Sequence, residues 1–338
     1  MILVINVGLK NSRCIVYNSK GKELFNQSTP IKTIINNSFV EQSIQEIEKK
    51  TFSILSVVTK KFKNQISYLT ITTSSCCLVC LDKKNKPLMN SILVSDSRSI
   101  KECDKINKIL HKLKDNSECR PDLMLPKMVW LKKNRKKIFI KTHKFLNIGD
   151  YLTYKITGEF FTDRYNASKF LLDKAEKNYL KIIYDKFEIK INRLPKIINN
   201  QVFDIDNKFN KRFNLKKDCQ FVQTSYDAIT SMLGCGVALP GELGDMSGTV
   251  SNMRTLSLKI PKQKKNILHT CTHPFKKLNI VGGSNNLGGG IIEWIKETFF
   301  SKNEFNYDYF KKIKSNNPYG LIFLPYLLGE RAPIWDSK

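Results

Sequence analysis

Two segments of this chain share one pattern, in which a short apolar run, a glycine-containing turn and a second β-type run follow one another. The first covers residues 1–17, with its turn at residues 6–12. The second has its turn at residues 245–251 and continues into residues 253–256. Short β-type runs joined by a glycine turn predict a β-hairpin. We therefore expect two related hairpins, about one domain apart in the chain.

The glycines of the two turns, Gly8 and Gly248, align with each other. Because glycine has no Cβ, backbone N–H groups in such a turn can approach an anion closely. We interpret both turns as phosphate-binding, with Lys10 and Thr249 beside the glycines as further contacts. An ordinary hairpin without a ligand is the alternative.

Asp227 is the lone acid at the start of a segment of small and apolar residues, 224–236, that is predicted to be helical. A helix N-terminus and partial burial can fix the position of a carboxylate and tune its pKa. Asp227 is therefore a candidate general base.

The chain is strongly basic, with 57 Lys and Arg against 30 Asp and Glu and a net charge of +27. Such an excess of positive charge is typical of proteins that bind nucleic acid. The lysines, however, are spread along the whole chain among Asn and Ile, and the densest basic run is short, at residues 132–137. We interpret the charge as solvated surface and expect no specific nucleic-acid binding, only weak adhesion that salt abolishes.

The nine cysteines are an odd number without the spacing of a disulfide framework, which favours reduced thiols and a cytoplasmic protein. Cys77 and Cys80 form a C-x-x-C pattern in a predicted strand. Residues three apart in a strand point to opposite faces, so we do not expect these two thiols to bind a metal ion together. The alternating polar run at 269–273 is interpreted as a strand. No apolar run is long enough to span a bilayer. We also expect no export, because Met1 enters a predicted strand directly, without a basic region and a cleavable apolar region.

A glycine-rich run at residues 282–290 is followed by a predicted helix at 291–300. Unsatisfied N–H groups and the helix dipole make the N-terminus of such a helix a candidate binding site for an anion or a nucleotide. The alternative is a tight turn where helix and sheet pack closely.

Hydrophobic periodicity predicts further elements in the rest of the chain. They are a strand pair at 69–72 and 78–82, a strand at 92–94, helices at 100–113 and 126–138, an irregular outer region of helices and loops at 174–217, and a strand at 278–281.

The two hairpins, the Asp227 segment, the motifs in residues 142–168 and the tail Leu-Pro-Tyr-Leu-Leu-Gly-Glu-Arg-Ala-Pro-Ile-Trp at 324–335 together resemble the FGGY family of carbohydrate kinases, its gluconate and xylulose kinases in particular. The resemblance covers the whole chain in order. It implies an α/β fold of two actin-like, ribonuclease-H-like lobes, with a sugar-binding lobe at 1–243 and an incomplete nucleotide-binding lobe at 244–338. It also implies ATP and Mg²⁺ in the cleft and a small sugar or polyol as partner.

Several site residues follow from the resemblance alone. Asp227 would be the catalytic base and a substrate contact, and Asp96 and Arg98 would orient the sugar. Ser75 and Cys76 occupy the place where xylulose and gluconate kinases carry a Met-His pair, so the chain departs from the pattern there.

The nucleotide side of the implied site also departs from the family. Gly289 and Glu293 would lie near the nucleotide. The first hairpin of active relatives reads Asp-x-Gly-Thr and holds Mg²⁺ through its acid, whereas this chain has Asn6 and Leu9 there. An amide offers the metal no charge, so its affinity for Mg²⁺ should fall.

We therefore expect a carbohydrate kinase acting on a sugar, polyol or sugar acid, with an impaired or inactive sugar-binding remnant as the alternative. A basic nucleic-acid-associated protein is a third, weaker interpretation. Because the chain ends at Lys338, soon after the second predicted lobe begins, we expect the chain alone to bind its sugar but to phosphorylate it poorly. Uncovered sheet surface would favour a homo-oligomer or a complementing C-terminal fragment.

Overall fold

The chain forms two compact units, Met1–Thr230 and Ser231–Lys338. The boundary predicted from the sequence, after residue 243, falls inside the second unit. A computed structural model describes residues 1–113, 118–173, 177–199, 201–248, 250–261, 268–273, 277–285, 287–300, 305–306, 308, 320–327, 330, 332 and 334.

The strands of the first unit form three sheets, and those of the second unit form one. In the described part of the chain the strands are β1 (Ile2–Val7), β2 (Asn11–Tyr17), β3 (Glu23–Pro30), β4 (Ile34–Asn36), β5 (Phe39–Gln42), β6 (Tyr68–Thr73), β7 (Leu78–Leu81), β8 (Ser91–Ile92), β9 (Lys144–Asn147), β10 (Phe161–Thr162), β11 (Lys196–Ile197), β12 (Val202–Asp204), β13 (Gln220–Gln223), β14 (Leu243–Ser247), β15 (Ser251–Ser257), β16 (His269–Thr272) and β17 (Asn279–Ser284).

Helices connect the strands of the first unit, and one long helix follows the sheet of the second. The described α-helices are α1 (Ile44–Lys61), α2 (Ile100–Lys112), α3 (Met124–Asn134), α4 (Lys136–Lys141), α5 (Ile148–Thr157), α6 (Arg164–Ala167), α7 (Lys181–Lys186), α8 (Asn207–Phe213), α9 (Asp227–Gly234) and α10 (Gly290–Phe299), with 3₁₀ turns at Ser168–Phe170 and Ile191–Arg193. None of these described helices has the length and apolar character needed to cross a bilayer.

The first predicted hairpin is confirmed, because β1 and β2 pair antiparallel from Ile2↔Tyr17 to Val7↔Ser12. Alternate residues of β1 are buried, as a strand with one covered face requires. At the turn, the Gly8 N–H donates to the Asn11 carbonyl at 3.0 Å. The hairpin thus fixes where β1 ends, and β1 is a central strand of the largest sheet.

That sheet has six strands in the order β12-β13-β6-β1-β2-β3. Its three central strands, β13, β6 and β1, run parallel to one another. The outer strands β2, β3 and β12 pair antiparallel. Carboxyl ends of neighbouring parallel strands meet at one edge of a sheet, which is where ligands bind in open α/β folds.

Helix α1 covers one face of this sheet. Its N-terminus is capped by Ser43, whose hydroxyl accepts from the Glu46 N–H at 3.2 Å, and two lysines occupy its last turn. Phe52 of α1 packs against Phe209 of α8, with ring centroids 5.4 Å apart. Helices α1 and α8 therefore form one packed layer against the sheet, which helps to fix the edge that carries its strand ends.

A second sheet of the first unit has the antiparallel order β4-β5-β8-β7-β9. Strand β7 is buried on both faces: Cys77, just before it, belongs to one hydrophobic cluster, and Leu78 and Cys80 belong to the other. This confirms that Cys77 and Cys80 point to opposite sides. The predicted pairing of β6 with β7 is wrong, because β1 and β13 already occupy both edges of β6.

Two other predictions for the first unit need correction. The single helix predicted at 126–138 is two helices, α3 and α4, separated at Arg135, whose backbone is not helical. Five of the residues at 132–137 are basic, and an unbroken helix would place like charges one turn apart. The region 174–217 is not wholly external, since Ile183 and Tyr184 of α7 are fully buried.

The second unit contains a four-stranded antiparallel sheet in the order β14-β15-β17-β16. The predicted second hairpin is confirmed as β14 and β15, which pair from Leu243↔Thr255 to Ser247↔Ser251. The predicted helix after the glycine run is confirmed as α10. The alternating segment at 269–273 forms a strand, β16, as predicted.

Candidate active site

The ends of the three parallel strands bring distant parts of the chain together. The Ser74 N–H, just after β6, donates to the carbonyl of Val7 at the end of β1, at 3.1 Å. On the other side of β6, the Thr224 hydroxyl donates to the Ile71 carbonyl at 2.6 Å. Asn6 lies beside Thr72 in the parallel register of β1 and β6. The predicted metal position and the segment leading to Asp227 therefore flank the same strand.

Asp227 is the first residue of α9 and is half-buried. Its Oδ2 accepts a hydrogen bond from the Ser74 hydroxyl at 3.0 Å, and its Oδ1 accepts from the Ala228 N–H at 2.8 Å. Each oxygen is thus held by at least one donor. This arrangement orients the carboxylate and keeps it accessible, which a general base requires.

The loop before Asp227 is tied to the sheet by further hydrogen bonds. The Thr72 hydroxyl lies 2.9 Å from the Ser225 carbonyl and 3.0 Å from the Thr230 hydroxyl. The Ser225 hydroxyl donates to Oδ1 of Asp163 at 3.0 Å. Since these contacts fix both sides of Asp227, its carboxylate is preorganised rather than carried on a mobile loop.

Ser75 and Cys76 lie in the connection between β6 and β7. Cys76 is buried, and its φ of 60° falls in the left-handed region, which non-glycine residues adopt rarely. Its carbonyl accepts from Lys127 Nζ at 2.6 Å. Burial raises the pKa of the Cys76 thiol, so the thiol is protonated near neutral pH. Only half-buried Ser75 has the exposure expected of a substrate contact.

Asp96 and Arg98 form a closed ionic network. Arg98 Nη2 lies 2.7 Å from Asp96 Oδ2 and 2.7 Å from Glu41 Oε1, and the Arg98 guanidinium stacks over Phe39. Only 2% of the Arg98 side chain and none of the Asp96 side chain is exposed. Asp96 Oδ2 also accepts from the Val40 N–H. Substrate binding by this pair stays a prediction, and the contacts here are those of a structural clamp between β5 and the loop before α2.

The phosphate-binding residues predicted in the first unit lie at the β1–β2 turn. Gly8 is half-buried within the turn and Lys10 is exposed beside it. The Lys10 carbonyl accepts from the Ile31 N–H at 2.8 Å, which anchors the turn against the segment after β3. The Lys10 side chain extends from a fixed backbone, as an anion contact would require.

In the second unit the structure brings Gly248 and Gly289 into contact. The Gly289 N–H donates to the Gly248 carbonyl at 2.7 Å, and a Cβ on Gly289 would lie 2.8 Å from that same oxygen. Glycine is therefore required there by close backbone approach. Glu293 lies half-buried in the first turn of α10. Thr249 lies outside the described residues.

Sequence reasoning assigned no role to Ser74 or Lys127, two residues that shape the site. The signal for Ser74 was its place directly after a buried strand, beside the predicted base in space but 153 positions away in sequence. Nothing local marks Lys127, a fully buried lysine that donates to the carbonyls of Cys76 and Leu93.

The residues around Asp227 fit a divalent cation poorly. In the ranges that the structure describes, no group of three or more His, Cys, Asp or Glu side chains is arranged to hold a metal ion. At the position implied for the metal-organising acid the chain offers the Asn6 amide, which contributes an oxygen but no negative charge. We therefore derive no catalytic step through a metal.

Two buried carboxyls behind the Asp227 loop predict a pH-dependent stability. Burial raises the pKa of Asp150 to about 7 and also raises that of Asp163. The folded chain thus binds more protons than the unfolded chain above pH 4, so the free energy of unfolding should fall as the pH rises from about 4 to about 7.

Asp150→Asn should flatten this pH dependence, because an amide does not titrate. The amide oxygen can still accept from the Asn147 N–H, so the local structure is kept. Urea unfolding at several pH values measures the difference between wild type and variant. We expect the wild type to lose a few kcal/mol relative to the variant between pH 4 and pH 7. A wild type that gains stability over the variant in that window would contradict the assignment.

With this geometry in hand, comparison with known proteins identifies the family. Residues 1–234 match the N-terminal domain of the FGGY family of carbohydrate kinases. This chain belongs to the FGGY family. The members of this family are phosphotransferases with an alcohol group as acceptor.

Among FGGY relatives, the xylulose kinase of Lactococcus lactis is 29% identical over 294 residues, which are 84% of this chain and 58% of that protein. The gluconokinase of Bacillus subtilis is 25% identical over 360 residues, covering 99% of this chain and 69% of that protein. This chain therefore spans between about 58% and 69% of the length of these two relatives.

Solved structures show the same fold. The gluconate kinase of Lactobacillus acidophilus superposes with a TM-score of 0.87 at 23% identity, covering 99% of this chain and 70% of that chain. The ligand-bound xylulose kinase of the same species gives 0.86 at 23% identity, covering 100% of this chain and 71% of that chain. The predicted actin-like α/β sugar-kinase fold is confirmed.

Proposed function

We propose that this chain acts as an ATP-dependent carbohydrate kinase, transferring the γ-phosphoryl group of ATP to a hydroxyl of a sugar, a polyol or a sugar acid. The observation that carries the proposal is Asp227, an accessible carboxylate fixed by Ser74 and by its own helix N-terminus at the ends of parallel strands. Membership of the FGGY family and the kinase relatives support the same activity.

In the proposed mechanism, Asp227 accepts the proton of the attacking hydroxyl as that oxygen bonds to the γ-phosphorus. Ser74 holds the carboxylate in place, so that it is positioned to meet the acceptor hydroxyl. Phosphoryl transfer depends mainly on positioning and on neutralising charge, so a preorganised base contributes by orienting the nucleophile. Gly8 and Lys10 are proposed as phosphate contacts in the first unit, and Gly248, Thr249, Gly289 and Glu293 as nucleotide contacts in the second.

Mg²⁺, when bound with ATP, would neutralise charge on the phosphates. Asn6 is the family position for the acid that organises this ion, and its amide weakens that contribution. Asn6 and Leu9 are among the grounds for the expected slow turnover of this chain, which stays a prediction.

Asn6→Asp tests this point. Restoring a carboxylate at the end of β1 should lower the Mg²⁺ concentration for half-maximal activity by roughly tenfold, because an ionised ligand binds a hard cation better than an amide. The measurement is ADP release against Mg²⁺ at fixed ATP. Asn26→Asp, at an exposed position of the edge strand β3, is the matched control. An unchanged Mg²⁺ dependence in Asn6→Asp would remove Asn6 from metal binding.

Acceptor-dependent ADP release tests the proposed activity itself. The chain would be incubated with ATP and Mg²⁺ and with a panel of pentuloses, polyols and aldonic acids. We expect at least one acceptor to raise ADP release above the acceptor-free rate, and Asn6→Asp to raise it further. No acceptor-dependent release from either protein would contradict the proposal.

A further inference from the structure

A cluster of charged side chains lies beside Cys76, next to the candidate active site in the first unit. Arg120 Nε lies 3.1 Å from Asp122 Oδ1, and Asp122 Oδ2 lies 3.8 Å from the Cys76 sulfur. The side chains of Arg120 and Asp122 remain 26% and 31% exposed. The pair is therefore accessible, in contrast to the closed network of Asp96 and Arg98.

Lys169 adds a second cation next to the proposed base. Its Nζ lies 3.2 Å from the Tyr226 hydroxyl and 4.5 Å from the centre of the Tyr226 ring, and Tyr226 directly precedes Asp227. Burial works against the charged form, but the neighbouring Tyr226 and Cys76 hold the pKa of Lys169 above its ordinary value. Lys169 therefore carries a positive charge at neutral pH.

A third cation, Lys127, lies behind Cys76 with its Nζ on two backbone carbonyls. The charges of Arg120, Lys169, Lys127 and Asp122 all act on the Cys76 thiol. Among the residues that the structure describes, three basic side chains and one acid thus act on Cys76. Burial lowers the pKa of Lys127, so its positive charge is the weakest of the three. The two accessible cations are Arg120 and Lys169.

We propose that Arg120 and Lys169, with the buried Lys127 behind them, bind a carboxylate of the acceptor, so that the acceptor is a sugar acid and not a neutral sugar or polyol; we call these three residues the Cys76 cationic wall. The inference rests on the proposed function and selects one of its three acceptor classes. A guanidinium and an ammonium both form charge-assisted hydrogen bonds with a carboxylate. A neutral polyol offers these cations only neutral acceptor groups, which form weaker hydrogen bonds.

Three acids of the described chain lie near the wall, and each has a partner or a role of its own. Asp96 also acts on Lys127, but Asp96 is paired with Arg98. Asp122 neutralises one cation of the wall, and Arg120 holds the pKa of Asp122 well below its usual range even though burial opposes ionisation. Asp227 is the acid proposed to face the reacting hydroxyl. The wall and Asp227 would therefore hold opposite ends of one acceptor molecule.

Gluconate and glucitol form a matched pair of probes, because they share a carbon skeleton and differ at the carboxylate. Calorimetric titration of the full chain without nucleotide should give gluconate an affinity about tenfold or more above that of glucitol, and rising salt should reduce the difference. Equal or tighter binding of glucitol, or of xylulose, would overturn the proposal.

Lys169→Met separates recognition of the carboxylate from general pocket integrity. It should weaken gluconate binding about tenfold and leave glucitol binding unchanged. Lys105→Met, on the exposed side of α2, is the matched control and should change neither affinity. Equal weakening of both ligands by Lys169→Met would show a structural role and overturn the proposal.

Inorganic phosphate distinguishes an acceptor carboxylate from a nucleotide phosphate as the wall's ligand. We expect phosphate to compete weakly with gluconate. Phosphate binding that depends on Lys169 while gluconate binding does not would assign the wall to the nucleotide and overturn the inference. These titrations need no turnover. A preference for gluconate without ADP release would therefore contradict only the proposed kinase activity. ADP release with neutral acceptors alone would contradict only the proposed sugar-acid specificity.

Discussion

Asp227→Asn should lower kcat by roughly two orders of magnitude or more while leaving acceptor binding nearly unchanged. The amide keeps the shape of the side chain: its oxygen can still accept from the Ala228 N–H, and its NH2 group can donate to the Ser74 hydroxyl, but it cannot take up the hydroxyl proton. Removing a group that acts only in the transition state lowers kcat and kcat/KM together. Initial rates of ADP release and calorimetric acceptor binding measure the two effects separately.

The control for this variant is Asp206→Asn. Asp206 also lies at a helix start, where its carboxylate accepts from the Lys208 and Phe209 N–H groups, and asparagine is an equally good cap. We expect wild-type kinetics from this control. Wild-type turnover in Asp227→Asn, or an equal loss in both variants, would remove Asp227 from the mechanism.

Arg98→Met should destabilise the fold by about 3–5 kcal/mol, because it leaves the fully buried Asp96 carboxylate without its cation. The variant also loses the guanidinium that lies 4.0 Å from the centre of the Phe39 ring. Urea unfolding followed by tryptophan fluorescence is suitable, since Trp130 lies beside the same guanidinium. The double variant with Asp96→Asn should recover part of the loss, as the buried charge is then removed.

Lys181→Met provides the matched control for the ion pair. The Lys181–Asp185 pair is formed at 2.5 Å, but its side chains are 75% and 57% exposed. Breaking it should cost less than about 1 kcal/mol. A loss from Arg98→Met no larger than that of this control would show that Arg98 is not a structural clamp and would favour its predicted role as a substrate contact.

The hairpins and the start of α9 could be predicted from the sequence because their signals are local. Alternating apolar residues and a glycine turn fix β1 with β2, and the same pattern fixes β14 with β15. Asp227 stood out because it is the lone acid at the start of an otherwise uncharged segment. These elements need no knowledge of distant contacts.

Contacts between distant residues were beyond such reasoning. Ser74 reaches Asp227 only because β13 and β1 pair on either side of β6, and pairing partners have no local sequence signal. The same limit explains the wrong pairing of β6 with β7. The family resemblance suggested ligand binding by Asp96 and Arg98, yet Glu41, 57 positions from Arg98, completes their network.

Transfer of radiolabel from [γ-³²P]ATP is the most direct test of the claim that this chain is a carbohydrate kinase. The full chain would be incubated with labelled ATP, Mg²⁺ and the acceptor that binds most tightly, and the products would be separated by chromatography. We predict label in an acid-stable phosphate ester of the acceptor, greatly reduced in Asp227→Asn. Label found only in inorganic phosphate, or an ester formed equally by Asp227→Asn, would contradict the account.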